Sequence, residues 1–467
     1  MTHQMKKYSV NIVLVVGSDY SPGHQCEVEA VTRLRYLPSR RSVWEGRCCG
    51  KAVLLKVYDA HTKQQRDVNA EWQQANRLYS AGLGVATPLF LASTDAGEIL
   101  VVYEFIENGQ ILGKYILDAD AEGRENAFRQ LIRIHAMQHE HGCYQSDDHL
   151  GNYLWSNGKL WILDAGSFVF SKAPLNTAAR VDNMSCLSAN IPLTFRSLYD
   201  EILVNEYSHE LPMIDQLIPV KIRRRVLHYY KKTRRACSDF ECFNSSGKKW
   251  IACSAIDSQL RQMLLSDPDQ FFGHGADMVK DGRTCSVVDV EVNGKSYILK
   301  RYNQKSLIYR MTHCFITPRA LVSWSNGHIL KLFGVATPKP IACLLLKSGL
   351  LLSKGYLVME KITGKPLDQL SHDVIKDSCN SIPSQFVSLC DQLDAMKAVH
   401  GDMKASNFIF DDTGVLQLID LDSLVFHRSM NYYNQEQAKD LSRFMRNWAN
   451  FPELVKLFRD RIELIGE

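Results

Sequence analysis

The stretch HGDMKASNFIF (400–410), followed by LIDLDSL (418–424), decides how this chain is read. It sets Asp402, Lys404, Asn407 and Asp420 in the order and spacing of a phosphotransfer centre. In such a centre one Asp accepts the proton of an acceptor hydroxyl, and an Asn five residues on holds a magnesium ion. An Asp on the next hairpin then holds the metal that bridges the phosphates. Asp402, Asn407 and Asp420 fit those three roles. A lone His-x-Asp triplet arises by chance on many loops. Here the Asp-x-Lys-x-x-Asn core lies between apolar runs and an apolar strand leads into the second Asp, so chance is a poor explanation.

The same arrangement occurs twice. YQSDDHLGNYLW (144–155) and LWILDAGSF (160–168) supply Asp147, His149, Asn152 and Asp164, again with five residues from Asp to Asn. GVATP stands at 84–88 and at 334–338, and the apolar strands ending in VVYEF (101–105) and LVMEK (357–361) carry Glu104 and Glu360 at matching places. Lysines inside short apolar strands, Lys56 in VLLKVY and Lys300 in YILKRY, complete the parallel. The offset between equivalent landmarks runs only from 244 (Lys56 to Lys300) to 256 (Asp164 to Asp420), as an internal repeat requires.

A chain of 467 residues exceeds one core, and two units of roughly 230 residues suit that length. Thirteen cysteines form no Cys-x-x-Cys pair and no zinc-like spacing with His, and an odd number argues against a closed disulfide framework; reduced, cytosolic thiols are the economical reading. Lys6 and Lys7 before SVNIVLVVG resemble the start of a signal peptide, but the apolar core is short, is broken by Asn11 and lacks a cleavage site, so an opening strand is expected. No run of eighteen apolar residues exists, and no transmembrane helix is expected. The formal net charge is only +4, yet the positive charge is unevenly placed. Residues 292–359 contain ten Lys and Arg and no Asp or Glu, which predicts a positive field. KIRRRVLHYYKKTRR (221–235) holds eight basic residues, either as a solvated helix or as a segment for an anionic membrane surface or a phosphorylated substrate.

Within the first half, 42–59 reads as two strands about a turn near Gly46–Gly50, with Lys56 on the second. The segment 62–82 has helical composition and carries Glu71 near its middle. A strand Lys aligned on phosphates by a helix Glu is a pair that kinase chemistry uses, because an unpaired Lys is poorly aimed. Alternatively Glu71 is an exposed helical carboxylate. No G-x-G-x-x-G precedes either lysine. In the second half only Gly282 precedes the hairpin turn Asn293-Gly294, as phosphate cover through backbone N–H groups or as an ordinary turn. His149 and Lys404 each follow the first Asp by two residues, where a cation can neutralise a moving phosphoryl group. Lys404 carries that charge at any physiological pH, a histidine only in part. Lys300 lacks an acidic partner in the acid-free stretch, so either something polar such as Asn326 or His328 orients it or the second unit does not use the usual ion pair.

LKRYN (299–303), PRALVSW…GH (318–328), GVATPKP (334–340) and HGDMKASNF (400–408) together resemble the lipopolysaccharide kinase family, the bacterial core heptose and Kdo kinases. YQSDDHLGNYL (144–154) is similar to the same family and to aminoglycoside and choline kinases. The resemblance covers about 40–170 and 280–425. It implies an α+β fold of two tandem protein-kinase-like bilobal units, 1–238 and 250–467, joined near 236–250, each with a β-rich N-lobe and a helical C-lobe. It further implies an ATP- and magnesium-dependent kinase in the cytoplasm, at the anionic inner-membrane face, acting on a sugar, a heptose first, of a lipopolysaccharide core intermediate. Asp147 and Asp402 would be catalytic with His149 and Lys404. Lys56, Glu71, Lys300, Glu104, Glu360 and Gly282 would serve the nucleotide, and Asn152, Asp164, Asn407 and Asp420 the metal. Nucleic acid is not an expected partner. Two alternatives stand: a phosphotransferase of small soluble acceptors, and a scaffold in which one unit does not catalyse.

Overall fold

The computed structural model describes all residues except 1–4, 17–19, 38–40, 61, 208, 246, 304–316, 349–350, 378–380 and 464–467. Helices and strands are mixed throughout. The chain forms two compact units, Met1–Ile191 with Phe195–Lys221, and Pro192–Thr194 with Ile222–Glu467.

In the first unit six strands close a barrel in the order Lys6–Val15, Gln25–Leu37, Arg41–Cys48, Lys51–Tyr58, Ile99–Glu104, Pro88–Thr94. The basic, apolar opening of the chain is the first of these strands. Gly46 lets two strands approach, since a Cβ there would stand 2.3 Å from the Glu29 carbonyl oxygen. Side chains alternate across Lys51–Tyr58 with the period of two that a strand imposes. Val53, Leu55 and Val57 point into the barrel core with Trp44 and Phe90. The residues between them, including Lys56, therefore face outward, and Leu54 and Tyr58 pack on the second core, built around the helices Thr62–Ser80 and Ala121–Glu140. Short hairpins, Tyr153–Ser156 with Lys159–Ile162 and Cys143–Gln145 with Phe168–Phe170, carry the Asp- and Asn-bearing loops.

The second unit is built on a seven-stranded antiparallel sheet ordered Phe240–Ser245, Lys248–Cys253, Pro340–Ser348, Leu351–Glu360, Lys295–Tyr302, Cys285–Val292, Asp277–Asp281. The expected junction at 236–250 is thus not a linker. Residues 240–253 pair as a hairpin at the sheet edge, and Trp250, fully buried, anchors it in the core with Leu344 and Val358. Asn293 and Gly294 both adopt positive φ, 53° and 71°, the two-residue turn that suits the twist of paired strands. Alternation again splits a strand. Tyr297 and Leu299 face one core, while Tyr302 faces the other, against the helix Arg319–Leu332, with Lys300 on its side. Beyond the sheet, the helices Ile382–Ala395, Met430–Arg446 and Pro452–Glu463 interlock through Phe386, Phe444 and Phe458; the Phe386 and Phe444 rings stack at 3.9 Å.

The helix Arg319–Leu332 is buried on nearly every side, so its polar residues need internal partners. Ser325 meets Thr233 Oγ1 at 3.1 Å and the Arg234 Nε–H at 3.0 Å. Asn326 donates to the carbonyls of Leu421 and Leu424 at 3.0 and 2.9 Å. His328 is caged by the rings of Phe240 and Trp324. Burial, with Lys339 adding repulsion, pushes its imidazole down to about 3. A histidine depressed in the fold binds its proton sooner when unfolded, so the stability it permits is full above about pH 6.5 and drains as pH falls toward 3. The slope is about 1.4 kcal/mol per pH unit for one such group. Urea midpoints measured between pH 7.5 and 5 should fall, and His328→Leu, which fits the same apolar cage, should flatten part of that fall.

Candidate active site

In the first unit the alternation that turns Lys56 out of the barrel aims it at Glu71 on the facing helix. The two form a buried ion pair, and Lys56 also donates to the Leu163 carbonyl at 3.0 Å. Glu71 is 1 % exposed, so it is not a surface carboxylate. Burial opposes its charge, but Lys56 and the Tyr103 hydroxyl, 2.7 Å away, bring its pKa below the usual range. Its second oxygen accepts the Gly166 N–H at 2.9 Å. Asp164 faces Arg41 at 3.9 Å. Asn152 donates to the Asp147 carbonyl at 2.7 Å, and His149 lies 3.8 Å from the largely exposed Asp147 carboxylate. Gln145 donates to the Asp164 carbonyl at 3.0 Å, which ties the two loops together.

The second unit has the same loop geometry, with a closer cation on the first Asp. Asn407 donates to the Asp402 carbonyl at 2.8 Å and approaches its carboxylate at 3.4 Å, while Lys404 meets that carboxylate at 3.0 Å. His400 takes the place of Gln145 and bonds the Ile419 carbonyl at 2.9 Å. The backbone then turns left-handed at Asp420, with φ 61°. Lys300 reaches Asp420 at 2.5 Å and Asp422 at 3.3 Å; Asp422 is also held by Arg319 at 2.6 Å. Burial works against the Lys300 ammonium, but Tyr302, Asp422 and Asp420 raise its pKa well above its ordinary value. Burial likewise opposes the Asp420 charge, and Lys300 overrides it and keeps the carboxyl low. Asp422, buried beside Asp420, is raised.

Asn326 and His328 are therefore not the groups that orient Lys300. One secures the loop after Asp420 and the other is neutral inside its ring cage. The partner comes from Asp422, which lay in plain sight in LIDLDSL but carried no role in the spacing, and Arg319 from PRALVSW joins it. The positive field expected over 292–359 is partly cancelled in the same way by acids outside that stretch: Asp269 pairs with Arg301 and Lys354, and Asp420 and Asp422 with Lys300 and Arg319. Lys305 and Arg310 lie outside the described residues. Of the run 221–235, Lys221 pairs with Asp182, Arg225 packs over Phe333, Lys232 pairs with Asp239 and Arg234 covers Tyr230; Arg223, Arg224, Lys231 and Arg235 are exposed.

The remaining positions are peripheral. The Gly282 N–H is used within its turn, donating to Cys285 at 3.1 Å. Glu104 and Glu360 close their strands with exposed side chains, Glu104 accepting from Thr87 at 2.9 Å. A shallow cleft opens beside Lys300 and Asp420, lined by Leu357 and Met359 from the sheet and by Thr337, Pro338 and Ile419. Among the described residues no three His, Cys, Asp or Glu side chains are grouped to hold a metal. The set that is present, the Asp420 carboxylate and the Asn407 amide oxygen, suits magnesium, which takes one or two protein oxygens and completes its shell with phosphates and water. No helix among the described residues is long and apolar enough to cross a membrane, and the described cysteines are free thiols.

A buried ammonium beside paired carboxylates, an Asp-Lys-Asn loop and a cleft make this the kind of centre that positions a phosphoryl donor against a hydroxyl. Residues 275–457, which contain all of it, match the model of the lipopolysaccharide kinase (Kdo/WaaP) family. The first unit lies outside the match. No curated protein matches the chain.

One further residue escaped the sequence reading. Asp440, buried on the helix Met430–Arg446, accepts the N–H of Gly401 at 2.8 Å and of Met403 at 3.4 Å, and thereby fixes the loop on either side of Asp402. Asp440→Ala strips both amides of their acceptor, at a cost on the order of 1–3 kcal/mol. The expected outcome is a lowered melting temperature together with slower hydrogen exchange lost at Gly401 and Met403, measured by mass spectrometry.

Proposed function

We propose that the second unit transfers the γ-phosphate of ATP to a sugar hydroxyl, a heptose hydroxyl first, of the lipopolysaccharide core. The observation that carries this reading is a cleft lined by Lys300 and Asp420 with the Asp402–Asn407 loop tied beside it, the Asn407 carbonyl accepting the Ile419 N–H at 2.9 Å, inside the family-matched stretch. ATP lies in the cleft with its phosphates toward Lys300. The acceptor oxygen attacks the γ-phosphorus, its proton passes to the Asp402 carboxylate, and the bond from that phosphorus to the β,γ-bridging oxygen breaks to release ADP. Asn407 and Asp420 would hold magnesium, which shields phosphate charge when bound. Lys404, at the open edge beside Asp402, moves from that carboxylate to the phosphoryl group as charge shifts. The two units are read as kinase-like repeats, each with its strand-rich part above a helical part.

The first unit has a lesser role in transfer on this reading. Its Asp147 is 81 % exposed, its Asp164, with a negative φ of −119° where Asp420 is left-handed, faces Arg41 rather than the lysine, and Gln145 stands where the second unit has His400. A supporting or nucleotide-binding unit accounts for those differences.

Orienting the hydroxyl is the contact least replaceable by others. In a phosphate-transfer assay with purified core oligosaccharide, Asp402→Ala should lose transfer by about 10³-fold or more, while Asp147→Ala should lose less than about tenfold. Mass spectrometry of core oligosaccharide from cells with and without the gene should show one missing phosphate. An unchanged core, or full transfer by Asp402→Ala with none by Asp147→Ala, contradicts the assignment.

The exposed Arg223, Arg224, Lys231 and Arg235 give the protein an affinity for an anionic surface, each contributing on the order of 1 kcal/mol at low salt. Sedimentation should recover more protein with anionic than with neutral liposomes, and the difference should shrink as salt rises. Equal binding to both would leave these residues as solvated helix.

A further inference from the structure

The two units satisfy the same electrostatic demand with the charges exchanged between helix and loop. Gln74 donates to the Phe168 carbonyl at 2.8 Å and Asn326 to the Leu424 carbonyl at 2.9 Å, each carbonyl four residues past Asp164 or Asp420. These bonds fix the register of the two helices. Three residues before Gln74 is Glu71; three residues before Asn326 is Ser323. Glu71 bonds the Tyr103 hydroxyl and Ser323 that of Tyr302 at 3.2 Å, tyrosines on non-equivalent strands, so the match rests on the helix register. Ser323 thus occupies the place of the aligning carboxylate but carries no charge.

The loop shows the inverse. Two residues after Asp164 is Gly166, where a Cβ would stand 2.5 Å from the Glu71 carboxylate oxygen. A side chain there would push the Glu71 carboxylate from its present place. Two residues after Asp420 is Asp422, its side chain 3 % exposed, in contact with Lys300 and with Arg319 one helical turn before Ser323. In the first unit the helix supplies the carboxylate; in the second the loop supplies it and the helix supplies a cation to hold it.

We propose that Asp422, held by Arg319, is the positioning residue for Lys300 and stands in for the helix carboxylate the second unit lacks. The proposal rests on the kinase reading above. A lysine whose sole partner was Asp420 would lose its aim whenever Asp420 turned to a metal or its ammonium turned to a phosphate. Asp422 keeps one bond to Lys300 through that exchange. It also means the lack of an acid in 292–359 does not mark the second unit as inactive.

The test is calorimetric binding of a non-hydrolysable ATP analogue with magnesium to the full chain carrying Lys56→Met, so that only the second cleft reports through a strand lysine. Asp422→Asn and Asp422→Gly should each weaken binding roughly tenfold or more, and Ser323→Glu added to Asp422→Gly should regain most of that loss, which a merely structural role for Asp422 would not allow. If neither Asp422 variant folds by circular dichroism, Arg319→Gln, at the exposed start of the helix, should weaken binding about threefold. Analogue binding by Asp422→Asn equal to that of its parent, or no regain with Ser323→Glu, overturns the inference and leaves the kinase reading intact. Absence of magnesium-dependent binding in the parent, and in the chain without Lys56→Met, overturns both.

Discussion

Each unit buries a lysine ammonium on a central strand, Lys56 at 5 % and Lys300 at 6 % exposure. A charge taken out of water without a partner costs several kcal/mol, so the surrounding fold has to deliver a carboxylate to that point. Much of the architecture follows from this demand. The strand must alternate so that the lysine leaves the sheet core, a helix must cross beside it, and the loop bearing Asp164 or Asp420 must be pinned against that helix. Gln74 and Asn326 perform the pinning with side-chain amides directed at loop carbonyls. The pairs themselves add little net stability, since desolvation offsets their attraction; what they provide is a fixed position for the ammonium.

The features that could be read directly from the sequence were those set by short spacing. Asp402 to Asn407 and Asp147 to Asn152 lie within one loop, and the strand lysines sit in apolar runs whose period of two places them. Glu71 was visible as a carboxylate in a helical segment. Asp422 stood as plainly in LIDLDSL, but its role could not be read, because its partner lies 122 residues away and only the folded sheet brings them together. Asn326 and His328 misled for a related reason. Polar residues in a helix normally face water or a site, but this helix is buried almost all round, so one amide serves the loop backbone and one imidazole is held neutral among rings. The hairpin 240–253 was hidden by its polar turn, while Phe240, Trp250 and Ile251, the residues that make it a strand pair, were too few to outweigh the Lys and Ser around them. Asp440 lies on a helix well past the motif, with nothing in its spacing to connect it to Gly401.

Charge balance separates the roles of Lys300 and Lys404. The second unit's site holds three carboxylates, on Asp402, Asp420 and Asp422, against three cations, on Lys300, Lys404 and Arg319. A nucleotide triphosphate brings further negative charge into a site that is already neutral, so either a cation enters with it or an existing pair opens. The pairs do not open with equal ease. Lys300 and Asp422 are both buried, and parting them strands charge in a low-dielectric interior. Lys404 and Asp402 are each about 40 % exposed, where an ion pair is worth at most about 1 kcal/mol and water takes over when it parts. On the proposed reading Lys300 is therefore the fixed cation toward which phosphate would lie. Lys404 would be the one free to follow charge as it moves, and its departure from Asp402 would leave that carboxylate able to accept a proton at the moment of transfer.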